Sequence, residues 1–468
     1  MRDLLIGVDL GTTHLKLGIF DTDGELHAVS VRSTEPDHLP GGHVVVRPEE
    51  WWASFRDAMR ECVGRVDAAA IRAIGISSQA QTFFLLDAEG ACAGEAISWL
   101  DNSGDADGLA GEVPLQDCYT HTGLPHPLPA LASAKLRNLQ SGTWDGARKI
   151  VFGDGFIIYR LTGRCAVSRN LAAMSGLYSM KDGAWWAPAL KAARVPARVL
   201  PDPVEPGQPV AMLRAELCET CGIPIVPVVA GANDQTAAAV GLGLVSPGSA
   251  MLGMGTAFVA FQVIDGDAPA PSTLPFRGPY LNGLHWQLAY SDNAGGTMNW
   301  ARRTLAGGCS WDDFYSQAVQ TAGRHDGLHF DPDLTDLESF RLQGQQPELR
   351  QQMLRAVVEG AACTARRLLD ELGVEGAVRA AGGASRNDAW MQMLADATGR
   401  PIERLDQPHA GIWGTALMAG RGAGIFPDVL AAAGRTRRAG HIIQPRSHLR
   451  GFYDLIYRNH MICRKSML

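Results

Sequence analysis

One design occurs twice in this chain, and it limits the possible folds more than any other feature. Residues 4–20 read Leu-Leu-Ile-Gly-Val-Asp-Leu-Gly-Thr-Thr-His-Leu-Lys-Leu-Gly-Ile-Phe. Leu4 to Val8 form an apolar run, Gly11, Thr12 and Thr13 a tight tip, and Lys16 to Phe20 a returning strand. Residues 249–262 repeat it around Gly253-Met254-Gly255-Thr256. Two such hairpins, each near the start of one half, point to a duplicated α/β architecture. Length agrees, because 468 residues exceed what a single core serves. The pattern changes around Ser246-Pro247-Gly248, which divides the chain into domains of residues 1–246 and 247–468.

A small, hydroxyl-rich tip can offer backbone N–H groups and hydroxyls to a phosphate with no bulky side chain in the way. Asp9, just before the first tip, is suited to a hydrated Mg²⁺. An ordinary hairpin turn would read the same way locally. Neither G-x-x-x-x-G-K-[ST] nor a G-x-G-x-x-G after the first strand occurs, so a P-loop and a Rossmann fingerprint are excluded.

The stretch from Ile225 to Gly241 runs from an apolar, β-branched segment through Gly231-Ala-Asn-Asp234 into a helical one. Asp234 at that turn would sit on rigid elements and face a cleft, which suits a general base. The alternative is that Asn233 or Asp234 only caps the helix.

Other segments add candidates. Ile71–Ser77 reads as a strand ending in Ser78-Gln79-Ala80-Gln81, where amides at a strand end can bind hydroxyls. Trp99 and Asp101 lie at the end of another strand, a pairing that suits a sugar: the ring covers C–H faces and the carboxylate takes hydroxyl protons. Glu49–Val63 is expected to be a helix whose aromatics Trp51, Trp52 and Phe55 are core. Residues 117–130 read as a loop, Ala132–Gln140 as a helix, and Phe156–Leu161 as a helix ending at Gly163. Residues 196–209, with five prolines, read as an irregular connection. Glu348–Leu372 is a long helix, and Trp413–Gly424 a small-residue helix suited to close contact near a hinge. Val378–Ala381 is a strand leading into Gly382-Gly383-Ala-Ser-Arg-Asn387. Paired glycines before a helix N-terminus let a nucleotide approach the backbone.

Composition narrows the classes. A net charge of −7 gives no basic footprint for nucleic acid. Nine scattered cysteines, an odd number, argue against a disulfide framework and for a reducing, cytoplasmic setting; Cys218 and Cys221 alone make a weak metal signal. No stretch reads as a signal peptide or a membrane helix.

In order and spacing these segments resemble the FGGY carbohydrate kinases of the sugar kinase, actin and Hsp70 superfamily. Asp9-Leu-Gly-Thr-Thr13 and Gly253-Met-Gly-Thr256 look like the two phosphate hairpins, Gly231–Asp234 like the catalytic segment. Gly382–Asn387 with Trp390, Gln392 and Asp396 resembles the C-terminal signature and adenosine motif. The resemblance implies two RNase-H-like (actin-like ATPase) domains, each a mixed sheet with flanking helices, with ATP and sugar in the cleft between them. It implies Asp234 as base, Asp9 and Asp234 on the Mg²⁺ side, and Thr12, Thr13, Lys16, Gly255 and Thr256 around the phosphates. Gly382, Gly383 and Asn387 would line the adenosine. Gln79, Ala80, Gln81, Trp99, Asp101 and Asn233, with Asp234, would face the sugar.

The sequence also departs from the family. Glycerol kinases carry Arg-Glu where Ala80-Gln81 stand, and xylulokinases Met-His. Ser103 replaces a common arginine, and the segment 325–345 lacks the usual Gly-Glu-Arg-x-Pro. A neutral ketose or polyol is the expected substrate. Kinases of a sugar acid or tetritol, and a non-catalytic ATP- or sugar-binding sensor of the same fold, are the alternatives; a homodimer is left open.

Overall fold

The computed structural model describes residues 2–139, 142–269, 274–320, 328–344, 347–407 and 409–467. Its N-terminal half is built from β1 (Leu4–Leu10), β2 (His14–Asp21), β3 (Leu26–Ser33), α1 (Pro48–Val63), β4 (Ile71–Ser78), α2 (Gly153–Thr162), β5 (Pro209–Met212), β6 (Pro227–Asn233) and α3 (Asp234–Gly241). The C-terminal half follows with β7 (Ala250–Met254), β8 (Phe258–Ile264), β9 (Phe276–Pro279), β10 (His285–Ser291), α4 (Ala294–Thr304) and α5 (Trp311–Gln320). It continues with α6 (Pro347–Glu371), β11 (Val378–Ala381), α7 (Asp388–Thr398), β12 (Ile402–Leu405), α8 (Ala410–Gly422), β13 (Gly440–Ile443) and α9 (Arg450–Met467).

The duplication is explicit in the two sheets. The first has the order β5-β6-β4-β1-β2-β3, the second β9-β10-β8-β7-β11-β12-β13. In each, three antiparallel strands lead into two parallel ones and an antiparallel edge: β3-β2-β1-β4-β6-β5 matches β10-β8-β7-β11-β12-β13 strand for strand. The Gly/Thr tips therefore occupy equivalent corners, β1–β2 and β7–β8.

Strands buried on both faces explain the continuous apolar runs. On the outer face of the first sheet, Trp51, Trp52, Phe55 and Met59 of α1 pack with Phe156 and Ile157 of α2, so the aromatics are core as expected. On the outer face of the second sheet, α6 and α7 form the equivalent layer. Between the sheets lie α3 and α8, packed against Leu5, Ala73 and Val229 on one side and Met251 and Phe261 on the other. Small residues make that layer thin. A Cβ on Gly414 of α8 would collide with the Ala237 carbonyl of α3, and one on Gly241 with the Ala410 carbonyl. The segment between β4 and β5 adds a smaller core around Phe83, Leu136, Phe152 and Leu171.

Some elements differ from expectation. Residues 117–130 are not all loop: Leu115–Thr122 is a helix, started after Pro114 and ended by Gly123 in the left-handed conformation at φ 71°. The helix expected over Ala132–Gln140 spans Ala132–Arg137, and Gln140 lies outside the described residues. The connection 196–209 contains a short strand, Asp202–Val204, and Pro209 begins β5. The small-residue helix starts at Ala410, ahead of Trp413, and ends before Gly424. Within 325–345, Leu337–Gln343 is helical, while residues 325–327 and 345 lie outside the described residues. No helix among the described residues is long and apolar enough to cross a membrane, and all nine cysteines are free.

Candidate active site

The turn from β6 into α3 separates the two roles that sequence left open. Asn233 is the cap: its side-chain oxygen accepts from Thr236 N at 2.8 Å. Its amide nitrogen donates to Met174 Sδ at 3.0 Å, and its backbone N–H donates to Asn170 Oδ1 at 2.8 Å. Asn233 is fully buried and consumed by structure. Asp234 is thereby relieved of capping: among the described residues its carboxylate accepts from the adjacent Gln235 N–H, at 2.8 Å, and from its own backbone N–H. Burial raises its pKa to about 7, and the charge of Asp9 adds to the rise.

Asp9, next to last in β1, lies opposite Lys16 of β2. Burial raises its pKa to about 6, with Lys16 opposing. Its Oδ1 is buried with no hydrogen-bond partner. The N-terminal turn of α8 closes over this carboxylate, so that a Cβ on Gly411 would lie 3.2 Å from Asp9 Oδ2. An unpartnered carboxylate oxygen whose charge is felt by a second carboxylate, Asp234, fits a hydrated divalent cation, which takes few protein ligands. Among the described residues no group of three or more His, Cys, Asp or Glu could hold a metal alone.

The two tips present different surfaces. Thr12 Oγ1 accepts from Trp99 Nε1 at 2.8 Å, which ties the first tip to the expected sugar wall. Thr13 is exposed, its hydroxyl 2.8 Å from His14 Nδ1. Gly255 and Thr256 are exposed, and the Thr256 carbonyl accepts from Gly295 N at 2.9 Å and Gly296 N at 3.0 Å. The start of α4 thus braces the second tip from below.

Gly382 has φ +95° and lies against the second tip, where a Cβ would come 2.5 Å from the Met254 carbonyl oxygen. Only glycine meets both constraints. Beside Gly383 the space is open.

Several residues of the expected site and of the C-terminal signature make structural contacts. Asn387 caps α7 through Trp390 N at 2.9 Å and donates to Asp312 Oδ1 at 2.7 Å, so each end of its amide already has one structural partner. Trp390 is fully buried and donates to Met254 Sδ at 3.3 Å. Asp396 is held by Arg446 at 2.6 Å. Gln81 uses both ends of its amide, donating to the Met174 carbonyl and accepting from Ala132 N at 2.7 Å. Asp101, 1% exposed, accepts from Val44 N at 3.0 Å and from Ser103 N and Oγ at 2.8 and 2.5 Å. Burial raises its pKa, but these donors and His43 hold it below the usual carboxylate range. Ser103, in the arginine's place, is thus a partner of Asp101. Gln79 is 3% exposed, donates to Thr82 Oγ1 at 3.1 Å and keeps Oε1 without a partner. Ala80 and Trp99 remain partly exposed.

Sequence reasoning missed Lys135, 2% exposed, whose Nζ donates to the Gln81 and Ser98 carbonyls at 3.0 and 2.6 Å. Burial lowers its pKa to about 7 against the pull of Asp101. It also missed Asn170 and Met174, which anchor Asn233. A lysine on a short helical stretch gives no sequence signal for either contact.

Comparison with known proteins gives the family. Residues 4–241 match the FGGY family of carbohydrate kinases, N-terminal domain, and residues 293–423 the C-terminal domain of the same family. The xylulose kinase of Escherichia coli K12 is 26% identical, over 89% of this chain and 89% of its own. The glycerol kinase of Agrobacterium fabrum is 28% identical, over 94% and 93%. A ligand-bound xylulose kinase from Lactobacillus acidophilus shares the fold, with TM-score 0.88 at 21% identity over 99% of this chain and 98% of that one. Two family matches in chain order, one of them covering half the sequence, make this chain a member of the FGGY family of carbohydrate kinases, two-domain enzymes of the actin-like ATPase fold that transfer phosphate to a sugar or polyol.

Proposed function

We propose that the cleft transfers the γ-phosphoryl of ATP to a hydroxyl of a small neutral sugar or polyol of ketopentose type, with Asp234 as general base. The observation that carries this reading is the division of labour at the β6–α3 turn. Asn233 does the capping, so Asp234 is rigidly placed yet chemically free, with its pKa at about 7. A base titrating near neutral pH combines adequate ionisation with useful proton affinity.

Phosphoryl transfer needs in-line positioning and charge stabilisation more than covalent chemistry. Asp234 accepts the proton of the attacking hydroxyl. The Thr12–Thr13 and Gly255–Thr256 tips cradle phosphate oxygens with backbone N–H groups and hydroxyls, and Lys16 adds positive charge. Gly382 and Gly383 admit the nucleotide against backbone. Asp9, with its unpartnered oxygen, and Asp234 would hold Mg²⁺, which supplies neutralisation of phosphate charge. Ala80 and Trp99 form the acceptor wall, with Gln79 Oε1 the unpartnered acceptor beside it. Ala80 carries no charge and Gln81 is spent on structure, which favours a neutral acceptor over an acid sugar. The kinship with proteins named xylulose kinase supports the same class.

The test is ADP release with MgATP across D-xylulose, D-ribulose, glycerol, tetritols and D-gluconate. Turnover with a neutral ketose or polyol is expected. Bound ATP with no acceptor-dependent ADP release would favour the sensor, and preference for D-gluconate would refute the neutral acceptor.

A further inference from the structure

We propose that Lys135 is a positioning residue for the phosphate acceptor: its ammonium clamps residues 79–82 to residues 98–101 and so sets the spacing of the wall between Ala80 and Trp99. This rests on the reading of the cleft given above.

The two loops have little else to register them. The strands they border, Phe83–Leu86 and Ala96–Ile97, pair only through Phe83 and Ile97. Two polar ties do the rest. The Thr82 hydroxyl accepts from Gln79 Nε2 and from Trp99 N, each at 3.1 Å. Lys135 Nζ binds the Gln81 carbonyl at 3.0 Å and the Ser98 carbonyl at 2.6 Å. Gln81 and Ser98 are the immediate neighbours of Ala80 and Trp99, so both ties act one residue from the wall.

Gln81 explains why a donor with several N–H groups is placed there. Its φ is +66°, a left-handed conformation that non-glycine residues rarely adopt. Such a conformation persists in a non-glycine residue only where its surroundings over-determine it. The helix Ala132–Arg137 supplies two of the restraints, Ala132 N on the side chain and Lys135 Nζ on the carbonyl. The third is the Met174 carbonyl. Met174 in turn accepts from Asn233, the neighbour of Asp234, so the strained turn is linked to the proposed base. From Trp99 the clamp reaches Thr12 of the first tip. Lys135 itself touches neither reacting group. It lies 5.8 Å from the Phe83 ring centroid, with Asp101 as the nearby counter-charge.

Lys135→Met keeps most of the side-chain length and removes the donors. With the full-length enzyme, the acceptor KM is expected to rise by about tenfold or more while MgATP affinity stays within about twofold, and kcat changes less than KM. Amide hydrogen exchange is expected to quicken in residues 79–82 and 98–101 and to stay unchanged in residues 382–387. An unchanged acceptor KM, or unchanged exchange in both loops of a folded variant, overturns the proposal. If Lys135→Met does not accumulate folded, Lys135→Gln is read by the same two measurements with the same outcomes. Wild-type protein that phosphorylates no sugar or polyol refutes the kinase reading and with it the acceptor role, while exchange still decides whether the clamp exists.

Discussion

Replacing Asp234 by asparagine tests the proposed base through stability as well as rate. In the folded protein the Asp234 pKa rises from its ordinary 3.8 to about 7, mainly through burial and then through Asp9. A raised carboxyl pKa means that the folded state holds the proton more tightly than the unfolded chain does. The contribution to stability is therefore greatest below pH 3.8, falls as pH rises, and is fully lost above about 7. That rise is worth about 4 kcal/mol against the ionised form, an upper bound because cleft water solvates the carboxylate on opening. Asparagine is isosteric and uncharged. At pH 8 Asp234→Asn is expected to unfold at a temperature several degrees above wild type, with the gap closing toward pH 4. Turnover should fall by about two to four orders of magnitude, as expected on losing a general base. Calorimetry at pH 5, 6.5 and 8, run beside ADP release, reads both. An active variant, or one less stable than wild type at pH 8, would refute the reasoning.

Four further outcomes follow from the same geometry. For the wild type, kcat/KM should rise about tenfold per pH unit toward neutrality and level off above about 7, as the Asp234 value requires; a flat profile between pH 5 and 7 speaks against Asp234. Gly382→Ala forces a Cβ to 2.5 Å from the Met254 carbonyl at φ +95°, so ADP affinity by titration calorimetry should drop about tenfold. Gly414→Ala drives α8 off α3 and should cost about 2–3 kcal/mol in urea unfolding. Arg446→Ala removes the guanidinium from the buried Asp396 carboxylate, leaves it Gln392 Nε2 and the residue-446 N–H, and should cost about 2 kcal/mol by the same assay.

Much of the candidate site is written in local signals. The Gly/Thr tips, the β6–α3 turn and the strand before Gly382 are each written within a dozen residues, in apolar runs broken by glycine. The duplicated sheet follows from the two hairpins, and its strand order bears out that inference. What misled was partnership over long sequence distance. Gln81, Asp101 and Asn387 have the chemistry of ligands, yet each also has structural partners in Met174, Ala132, Val44 and Asp312. Spacing carries no trace of such pairings. The helix Leu115–Thr122 was hidden because its Pro and Gly borders look like loop residues when their capping roles are unseen.

The late position of α8 in the sequence bears on how the protein is made. Residues 410–422 cover the inner face of a sheet whose strands all precede residue 234. On the ribosome that face, with Leu5, Ala73 and Val229, has to wait while residues 247–409 are synthesised, about ten to thirty seconds at ordinary rates. The first sheet therefore emerges with one apolar side open and cannot mature as a finished unit during synthesis. Termination between residues 241 and 410 leaves that side with α3 but without α8, so truncated chains should be cleared or held by chaperones rather than survive as a free N-terminal half.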